Sequence, residues 1–184
     1  RSLWIDIEVT KDIAPGNYEI ELRLKKEGDV VTSAKQRVTV IGVELPKQKI
    51  MHTEWMHADC LADYYHVDVF SEEHWKILEN YFKEYVKRGC NMMLTPLFTS
   101  PLDTAVGLER TTTQLIKVEV VKGEYRFEFS ELKRWIDLCK KCGIEYYEMS
   151  HLFSQWGAKY APKVVAEVDG KEEKIFGWHT QAVG

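Results

Sequence analysis

The chain has 184 residues, of which 45% are hydrophobic and 29% charged, a balance typical of soluble globular domains. Its formal net charge is −4, and no lysine- and arginine-rich stripe runs along any predicted face, which argues against a nucleic acid partner. No stretch approaches the roughly 20 consecutive apolar residues that a membrane-spanning helix needs, so no membrane partner is expected either.

The first residues give no sign of a signal peptide, because no apolar core follows a basic start. Among the cysteines, Cys139 and Cys142 have the spacing of a redox or zinc motif, but no second close pair completes a zinc site. Both thiols fall on the apolar stripe of a predicted helix, which predicts buried and unreactive cysteines. Free cysteines and the absent signal peptide favour a cytoplasmic location, and no cofactor is expected.

Residues 1–45 carry strand patterns throughout. Residues 4–7 open the first run, and residues 18–25 alternate strictly between apolar and polar side chains, as in a strand with one buried face. Residues 27–29 form a turn, and residues 35–43 supply another strand. Because so few strands make a poor independent sheet, residues 1–45 are predicted to be the C-terminal strands of a β-sandwich.

Residues 46–49 mark a domain boundary, after which strands and helices alternate, as in a parallel sheet. A strand is predicted over residues 50–57. Ser71 is predicted to cap a helix that ends at residues 87–88, with Gly89 closing it. Residues 90–98, apolar on both faces, predict the second strand.

An irregular stretch, residues 99–113, comes next. A hairpin is predicted over residues 116–129, followed by a helix that Ser130 caps and Gly143 closes. A third strand over residues 144–153 and a second hairpin over residues 164–176 complete the pattern.

Three strands and two helices correspond to about the first three βα units of a (β/α)8 TIM-type barrel, which needs eight of each. The predicted fold class is therefore α/β, with a partial barrel over residues 46–184 preceded by the end of a β-sandwich over residues 1–45. Long connections after the second and third strands favour a fragment of a barrel over a small α/β domain. The remainder of its own barrel would then be its partner.

Polar and aromatic residues collect after the predicted strands, where a barrel places its active site. The candidate substrate-binding residues are His57, Asp59, Asp103, Arg110, Glu148, His151, Gln155, Trp156 and Trp178.

Several of these residues have alternative interpretations. Arg110 either forms a salt bridge with Glu148 or forks onto neighbouring sugar hydroxyls, and Asp103 could simply cap a turn. Trp156 and Trp178 are either exposed platforms for sugar rings or core residues. A metal site made by the candidate histidines and Asp59 remains a further alternative, although the ligands come from separate loops without diagnostic spacing.

Four segments resemble a known family: residues 54–60, residues 102–110, the stretch His-Leu-Phe-Ser-Gln-Trp-Gly-Ala at 151–158, and residues 175–178. Together they are similar to a bacterial glycoside-hydrolase-like family related to glycoside hydrolase family 123, the N-acetyl-β-galactosaminidases. The resemblance covers residues 50–184.

The resemblance implies a glycosidase that acts on a glycan, an N-acetylhexosaminide, by a substrate-assisted retaining mechanism. The expected catalytic residues are an adjacent Asp-Glu pair at the end of the fourth barrel strand. No adjacent Asp-Glu pair occurs among the 184 residues, so the pair is expected beyond this chain, and Glu148 is the fallback catalytic acid. A fragment of this kind is expected to be inactive alone. Two alternatives stay open: a non-catalytic carbohydrate-binding module, and a metal-dependent hydrolase using His57, Asp59 and His151.

Overall fold

The computed structural model describes residues 2–47, 49–154 and 157–181. The chain forms two compact units, Arg1–Gln48 and Lys49–Gly184. The first unit holds one antiparallel hairpin, and the second holds a mixed α/β arrangement of three helices and two sheets in the described residues. None of the described helices combines the length and apolarity needed to span a membrane.

The first unit consists of strands β1 (Gly16–Lys26) and β2 (Asp29–Val40), which pair in antiparallel register. The turn between them, with Glu27 and Gly28 both at positive φ, is the one predicted. The additional strand predicted at residues 4–7 is wrong: Trp4 is 85% exposed, and no described strand pairs with this segment. Strand-like alternation cannot form a strand where the backbone has no neighbouring ladder.

The second unit begins with two helices, α1 (Ala58–Tyr65) and α2 (Glu72–Lys87). Helix α2 begins as predicted, with the Ser71 hydroxyl accepting a hydrogen bond from the backbone of His74 at 3.2 Å. Gly89 follows it with φ of 88°, a left-handed conformation that glycine adopts at no steric cost. Helix α1 was not predicted, because its eight residues are too few to show a helical period clearly.

Two short strands, β3 (Met92–Thr95) and β6 (Tyr146–Met149), pair in parallel, as the strand-helix alternation predicted. Helix α3 (Ser130–Cys142) precedes β6 and ends at Gly143, which has φ of 97°. Ser130 is the first helical residue and not the cap: its hydroxyl donates to the Glu128 carboxylate, which also accepts from the Ser130 backbone N–H.

The two predicted hairpins are present as β4 (Lys117–Val121) with β5 (Glu124–Glu128), and β7 (Val164–Val168) with β8 (Lys171–Phe176). They join into one four-stranded sheet of order β5-β4-β7-β8, because β4 pairs with β7 in parallel.

The main core of the second unit lies where α2 and α3 pack beside the β3–β6 pair. Trp135 is its centre, with its ring 5.0 Å from Phe82 and 6.3 Å from Trp75. Cys139 is buried in the same cluster, and burial raises the pKa of its thiol, as the helical stripe predicted. Cys142 is half-buried, and burial raises its pKa as well.

The first barrel-type strand predicted at residues 50–57 is wrong, because these residues form an extended segment without strand pairing. The segment is held by side-chain and isolated backbone hydrogen bonds in place of a continuous ladder. The His52 backbone N–H donates to the Asn91 side chain at 2.8 Å, and the His52 carbonyl accepts from the backbone N–H groups of Asn91 and Met92. The Tyr85 hydroxyl then lies between the segment and β3, 2.8 Å from the Glu54 nitrogen and 2.7 Å from the Met92 carbonyl oxygen. That hydroxyl takes the place of a ladder hydrogen bond.

Candidate active site

The candidate site lies where the parallel strands β3 and β6 end, because three chain segments leave the core at this point. The extended segment 49–57 runs into α1, residues 99–113 follow β3, and residues 150–154 follow β6. A hydrogen bond of 2.9 Å from the Ser150 nitrogen to the Thr95 carbonyl ties the segment after β6 to the end of β3. Parallel strands bring their carboxyl ends to one edge, which is where ligands bind in open and closed α/β folds.

A buried ion pair joins α1 to the loop after β3. Arg110 donates from Nε to Asp59 at 2.8 Å, and the two side chains are only 10% and 8% exposed. The other guanidinium nitrogens donate to the Leu102 carbonyl at 3.1 Å and contact the Cys60 sulfur at 2.9 Å. Arg110 therefore pairs with Asp59 and not with Glu148, the partner suggested by sequence. Its three nitrogens are all occupied, which suits it to hold the loop in place.

A second pair lies beside the first. His57 Nε2 is 2.6 Å from Asp103 Oδ2, and the His57 side chain is only 12% exposed. Asp103 has φ of 55°, a left-handed conformation that aspartate tolerates better than most residues. We call these two side-chain pairs, His57–Asp103 and Asp59–Arg110, the loop clamp. They attach residues 99–113 to the first turn of α1.

A third cluster lies at the end of β6. The Trp55 indole N–H donates to Glu148 Oε2 at 3.0 Å, and the Trp55 and His151 rings meet in a T-shaped contact with centroids 5.5 Å apart. Trp55 is 43% exposed, Glu148 is half-buried and His151 is exposed. An aromatic ring, a carboxylate and an imidazole thus share one exposed edge of the site.

Trp178 borders a small cavity that shares Ser100 and Arg110 with the cavity at the loop clamp. Its indole N–H donates to the Leu108 carbonyl at 2.9 Å, and its ring lies 5.4 Å from Tyr160. Lys163 lines the same cavity and donates to the Arg110 carbonyl at 2.5 Å. Burial lowers the pKa of Lys163, although the nearby Glu109 carboxylate opposes that shift.

The described candidate residues named from sequence fall into three groups: the loop clamp, Glu148 and His151 beside Trp55, and Trp178 at the cavity that also contains Arg110. The other two candidates, Gln155 and Trp156, lie outside the described residues.

Sequence reasoning missed Trp55, Cys60 and Lys163 as members of the site. Trp55 and Cys60 lie within the first family-like segment, so the family resemblance was the signal that could have identified them as site residues.

The residues suggested as metal ligands have other partners here. His57 bonds to Asp103, Asp59 pairs with Arg110, and His151 contacts the Trp55 ring. Among the described residues, no group of three or more His, Cys, Asp or Glu side chains has the geometry to hold a metal ion.

His74 connects helix α2 to the candidate site, because its buried ring bonds to the first residue of α1. Its Nδ1 accepts from the Phe70 nitrogen at 2.9 Å, and its Nε2 lies 3.0 Å from the Ala58 carbonyl, so the neutral tautomer protonated at Nε2 satisfies both contacts. Burial lowers the pKa of His74, although the Ala58 carbonyl and the Asp59 charge oppose this.

The stability of the second unit is therefore expected to fall in mild acid. The unfolded chain binds a proton at His74 near pH ~6.5 while the folded chain resists it, so stability is full above that pH and declines as pH falls toward the lower folded pKa. Urea unfolding at pH 7 and pH 5 measures the loss, which should be smaller in His74→Gln. His66→Asn, at an exposed position, is the matched control. Equal acid losses in wild type and His74→Gln would contradict the assignment.

Comparison with known proteins identifies the family. The glycoside hydrolase 123 catalytic domain matches residues 55–183. The chain belongs to this family.

Among solved structures, a family 123 glycoside hydrolase from Clostridium perfringens, described in a study of glycolipid glycan hydrolysis, superposes with a TM-score of 0.63 at 20% identity. The match covers 91% of this chain and 30% of that enzyme, so the chain spans about a third of the enzyme's length. No curated protein sequence matches the chain significantly. Membership of family 123 confirms the relationship suggested by the four family-like segments.

Proposed function

We propose that this family 123 chain forms the first part of a glycosidase that cleaves a glycan at an N-acetylhexosamine residue. The observation that carries the proposal is the family match over residues 55–183, which spans the loop clamp and the Trp55 cluster. The Clostridium enzyme, a family 123 hydrolase studied for glycolipid glycans, makes a glycan substrate the first to test.

We propose that the second unit is the start of a (β/α)8 barrel. Its parallel β3–β6 pair, flanked by α2 and α3, has the βα pattern of such barrels, and long loops carry the polar groups at one end. No closed barrel is present in the described residues. The remaining strands would come from the rest of the barrel, in keeping with the 30% share of the Clostridium enzyme that is matched.

For the first unit, we propose the role of C-terminal strands in a β-sandwich. Several apolar side chains of the hairpin are exposed, such as Tyr18 and Leu24 on β1 and Val31 on β2. A two-stranded hairpin is marginally stable by itself, so further strands are expected to cover this face.

The proposed mechanism is substrate-assisted and retaining. The carbonyl oxygen of the substrate's 2-acetamido group attacks the anomeric carbon while the glycosidic C–O bond breaks and the leaving oxygen takes a proton from a general acid. Water then attacks the anomeric carbon of the oxazolinium intermediate and loses a proton to the deprotonated general acid. The bond from that carbon to the acetamido oxygen breaks, which regenerates the acetamido group and restores the original configuration. This route is an exception to the scheme with two catalytic carboxylates.

The general acid is expected to be the Glu of an adjacent Asp-Glu pair, which is absent from these 184 residues. Glu148 is the fallback acid, since it lies half-buried at the end of β6. The loop clamp residues His57, Asp59, Asp103 and Arg110 are proposed to shape the sugar subsite, with His151, Gln155, Trp156 and Trp178 at its border.

Two chromogenic substrates test this function in the protein that carries these residues in its natural context. 4-Nitrophenyl N-acetyl-β-galactosaminide is expected to be hydrolysed, whereas 4-nitrophenyl β-galactoside, which lacks the attacking acetamido group, should be inert. Equal rates on both substrates would exclude substrate assistance. Glu148→Gln is then assayed on a glycoside whose leaving group is a sugar, which needs protonation to leave: a fall in kcat with KM unchanged would make Glu148 the acid, and an unchanged kcat would leave that role to an Asp-Glu pair.

A non-catalytic carbohydrate-binding module is the second candidate, because an exposed Trp55 ring beside the Glu148 carboxylate could bind a sugar without cleaving it. It predicts sugar binding without hydrolysis of either substrate.

A further inference from the structure

The two edges of the four-stranded sheet present different side chains to solvent. One edge is β8, where the exposed residues 171–174 are all charged, a composition that discourages pairing with another strand. The opposite edge is β5, where Tyr125 and Phe127 alternate with charged residues and Phe129 follows at the next alternate position. These three side chains, which we call the aromatic stripe, are 51%, 52% and 52% exposed. An exposed edge strand that carries large apolar side chains is a template for pairing with another chain.

The aromatic stripe continues a face of the sheet that is buried further inside. Phe127 lies opposite Val118 on β4, which is 2% exposed and belongs to the smaller apolar cluster of the second unit. Residues that lie opposite each other on neighbouring strands share one face of the sheet. The Tyr125 and Phe127 rings also stack on each other, with centroids 6.4 Å apart and an interplanar angle of 16°. A further strand beside β5 would therefore extend a face that the sheet already buries.

The backbone of β5 is arranged to accept such a strand. The turn at residues 122–123 has two residues, so Val121 and Glu124 close the hairpin as a hydrogen-bonded pair. Hydrogen-bonded and non-hydrogen-bonded pairs alternate along an antiparallel ladder. The backbone N–H and C=O groups of Tyr125 and Phe127 consequently point away from β4, toward the open edge. Among the described strands, β5 pairs with β4 alone.

The charges on β5 favour a second copy of the same strand as its neighbour. When β5 is paired antiparallel with itself about Phe127, that residue lies opposite its own counterpart and Tyr125 lies opposite Phe129 of the second copy. The same register places Arg126 opposite Glu128 of the second copy, and the two-fold symmetry repeats this pair. Opposite charges and aromatic rings that face each other across two strands both stabilise the pairing.

The neighbouring registers are less favourable. Pairing about Arg126 would place that residue opposite its own counterpart and Glu124 opposite Glu128, and like charges in such positions destabilise a sheet. Pairing about Tyr125 would place Phe127 opposite Gly123, which has no side chain to cover the ring. Charge and side-chain complementarity therefore select the register centred on Phe127.

The Glu128 carboxylate is already oriented for this contact. It accepts from the Ser130 backbone N–H at 2.6 Å and from the Ser130 hydroxyl at 2.8 Å. An ionised carboxylate has about four acceptor positions, so it can accept further hydrogen bonds from a guanidinium group. Arg126 is exposed on the same face of β5, where an arginine of the second copy can approach Glu128.

We propose that β5 is a dimerisation edge, which pairs antiparallel with β5 of a second copy of this chain and places Phe127 at the two-fold axis. The two four-stranded sheets would join into one, with both aromatic stripes side by side on the same face. A contact through one strand edge is small, so the dimer is expected to be weak and to depend on protein concentration. The interface uses no residue of the candidate active site and does not depend on the proposed function.

Sedimentation equilibrium over a wide concentration range tests the dimer. The apparent mass of the 184-residue chain should rise from 21.5 kDa toward twice that value as the concentration increases. Arg126→Glu should raise the dissociation constant at least about tenfold, because both charge pairs become repulsive. Phe127→Lys should act in the same direction by placing two like charges at the axis. Arg37→Glu, which makes the same charge change at an exposed position of β2, is the matched control.

Disulfide crosslinking tests the register. In Phe127→Cys, the two new cysteines would have Cα atoms about 5.5 Å apart, within the range that a disulfide spans, and copper phenanthroline should link the two copies. Arg126→Cys should link far less, because its counterpart is displaced by two residues in this register. The wild type, which carries the exposed Cys60, gives the background. Stronger linking through Arg126→Cys than through Phe127→Cys would overturn the proposed register.

The same sedimentation measurement on the longer protein decides what occupies this edge. A dimer that Arg126→Glu dissociates and Arg37→Glu does not would support the proposal. A monomeric longer protein, with the 184-residue chain dimeric, would mean that the rest of the barrel covers β5, and would overturn it. A 184-residue chain that stays at 21.5 kDa at every concentration would overturn it as well.

Discussion

Replacing Arg110 with alanine is expected to lower the free energy of unfolding of the second unit by about 3–5 kcal/mol, because it leaves Asp59 as an unpaired buried charge. The Asp59 side chain is 8% exposed, so water can do little to replace the lost interaction with its carboxylate. Urea unfolding followed by tryptophan fluorescence measures the change. Such a loss would be a large fraction of the total stability of an ordinary domain.

Lys133→Ala is the matched control for this ion pair. Lys133 pairs with Asp137 at 2.6 Å on the surface of α3, where the two side chains are 78% and 57% exposed. Exposed pairs of this kind contribute about 0.3–0.5 kcal/mol, so the variant should unfold almost as the wild type does.

The double variant Asp59→Leu/Arg110→Met provides a second check on the ion pair. It removes both charges and should recover much of the stability lost in Arg110→Ala. If Arg110→Ala costs no more than Lys133→Ala, the buried pair does not hold the loop after β3.

Replacing Phe82 with alanine is expected to cost about 3–5 kcal/mol, because the side chain is fully buried against Trp135 and its removal leaves a cavity. The adjacent residue on α2 gives the control. Tyr81 is 39% exposed, and its hydroxyl lies 3.2 Å from that of Tyr65, so Tyr81→Ala should cost far less.

The same two variants test which face of helix α2 packs against the core. Thermal unfolding should show a large fall in Tm for Phe82→Ala and a small one for Tyr81→Ala. Similar falls for both would mean that the helix presents a different face to the core.

Much of the second unit was predictable because its signals are local. Ser71 and Gly89 set the two ends of helix α2 through their own capping geometry. The Lys122-Gly123 turn defines the β4–β5 hairpin through two positive φ angles. The predictions were wrong where contacts with a distant segment determine the local structure. Residues 50–57 have a strand-like pattern, but the Tyr85 hydroxyl occupies the position of a ladder hydrogen bond.

The sequence named candidate site residues but could not give their contacts. The end of a parallel strand is a general location for function, so Glu148, His151 and Arg110 could be named from their positions in sequence. Their partners could not, because Asp59 is 51 residues from Arg110 and Trp55 is 93 residues from Glu148. Trp55 was missed for the same reason: the carboxylate that accepts its indole N–H comes from a distant strand.

The sequence alone determined helices α2 and α3, the two hairpins of the second unit and the family-like segments, and it named the candidate residues after the strands. These features depend on side-chain period, turn chemistry and spacing over a few residues, which one stretch of chain contains in full. The tertiary structure alone decided that β4 pairs with β7, that Arg110 pairs with Asp59, and that Glu148 holds Trp55. Each of these contacts joins segments far apart in sequence, so its geometry exists only once the chain has folded.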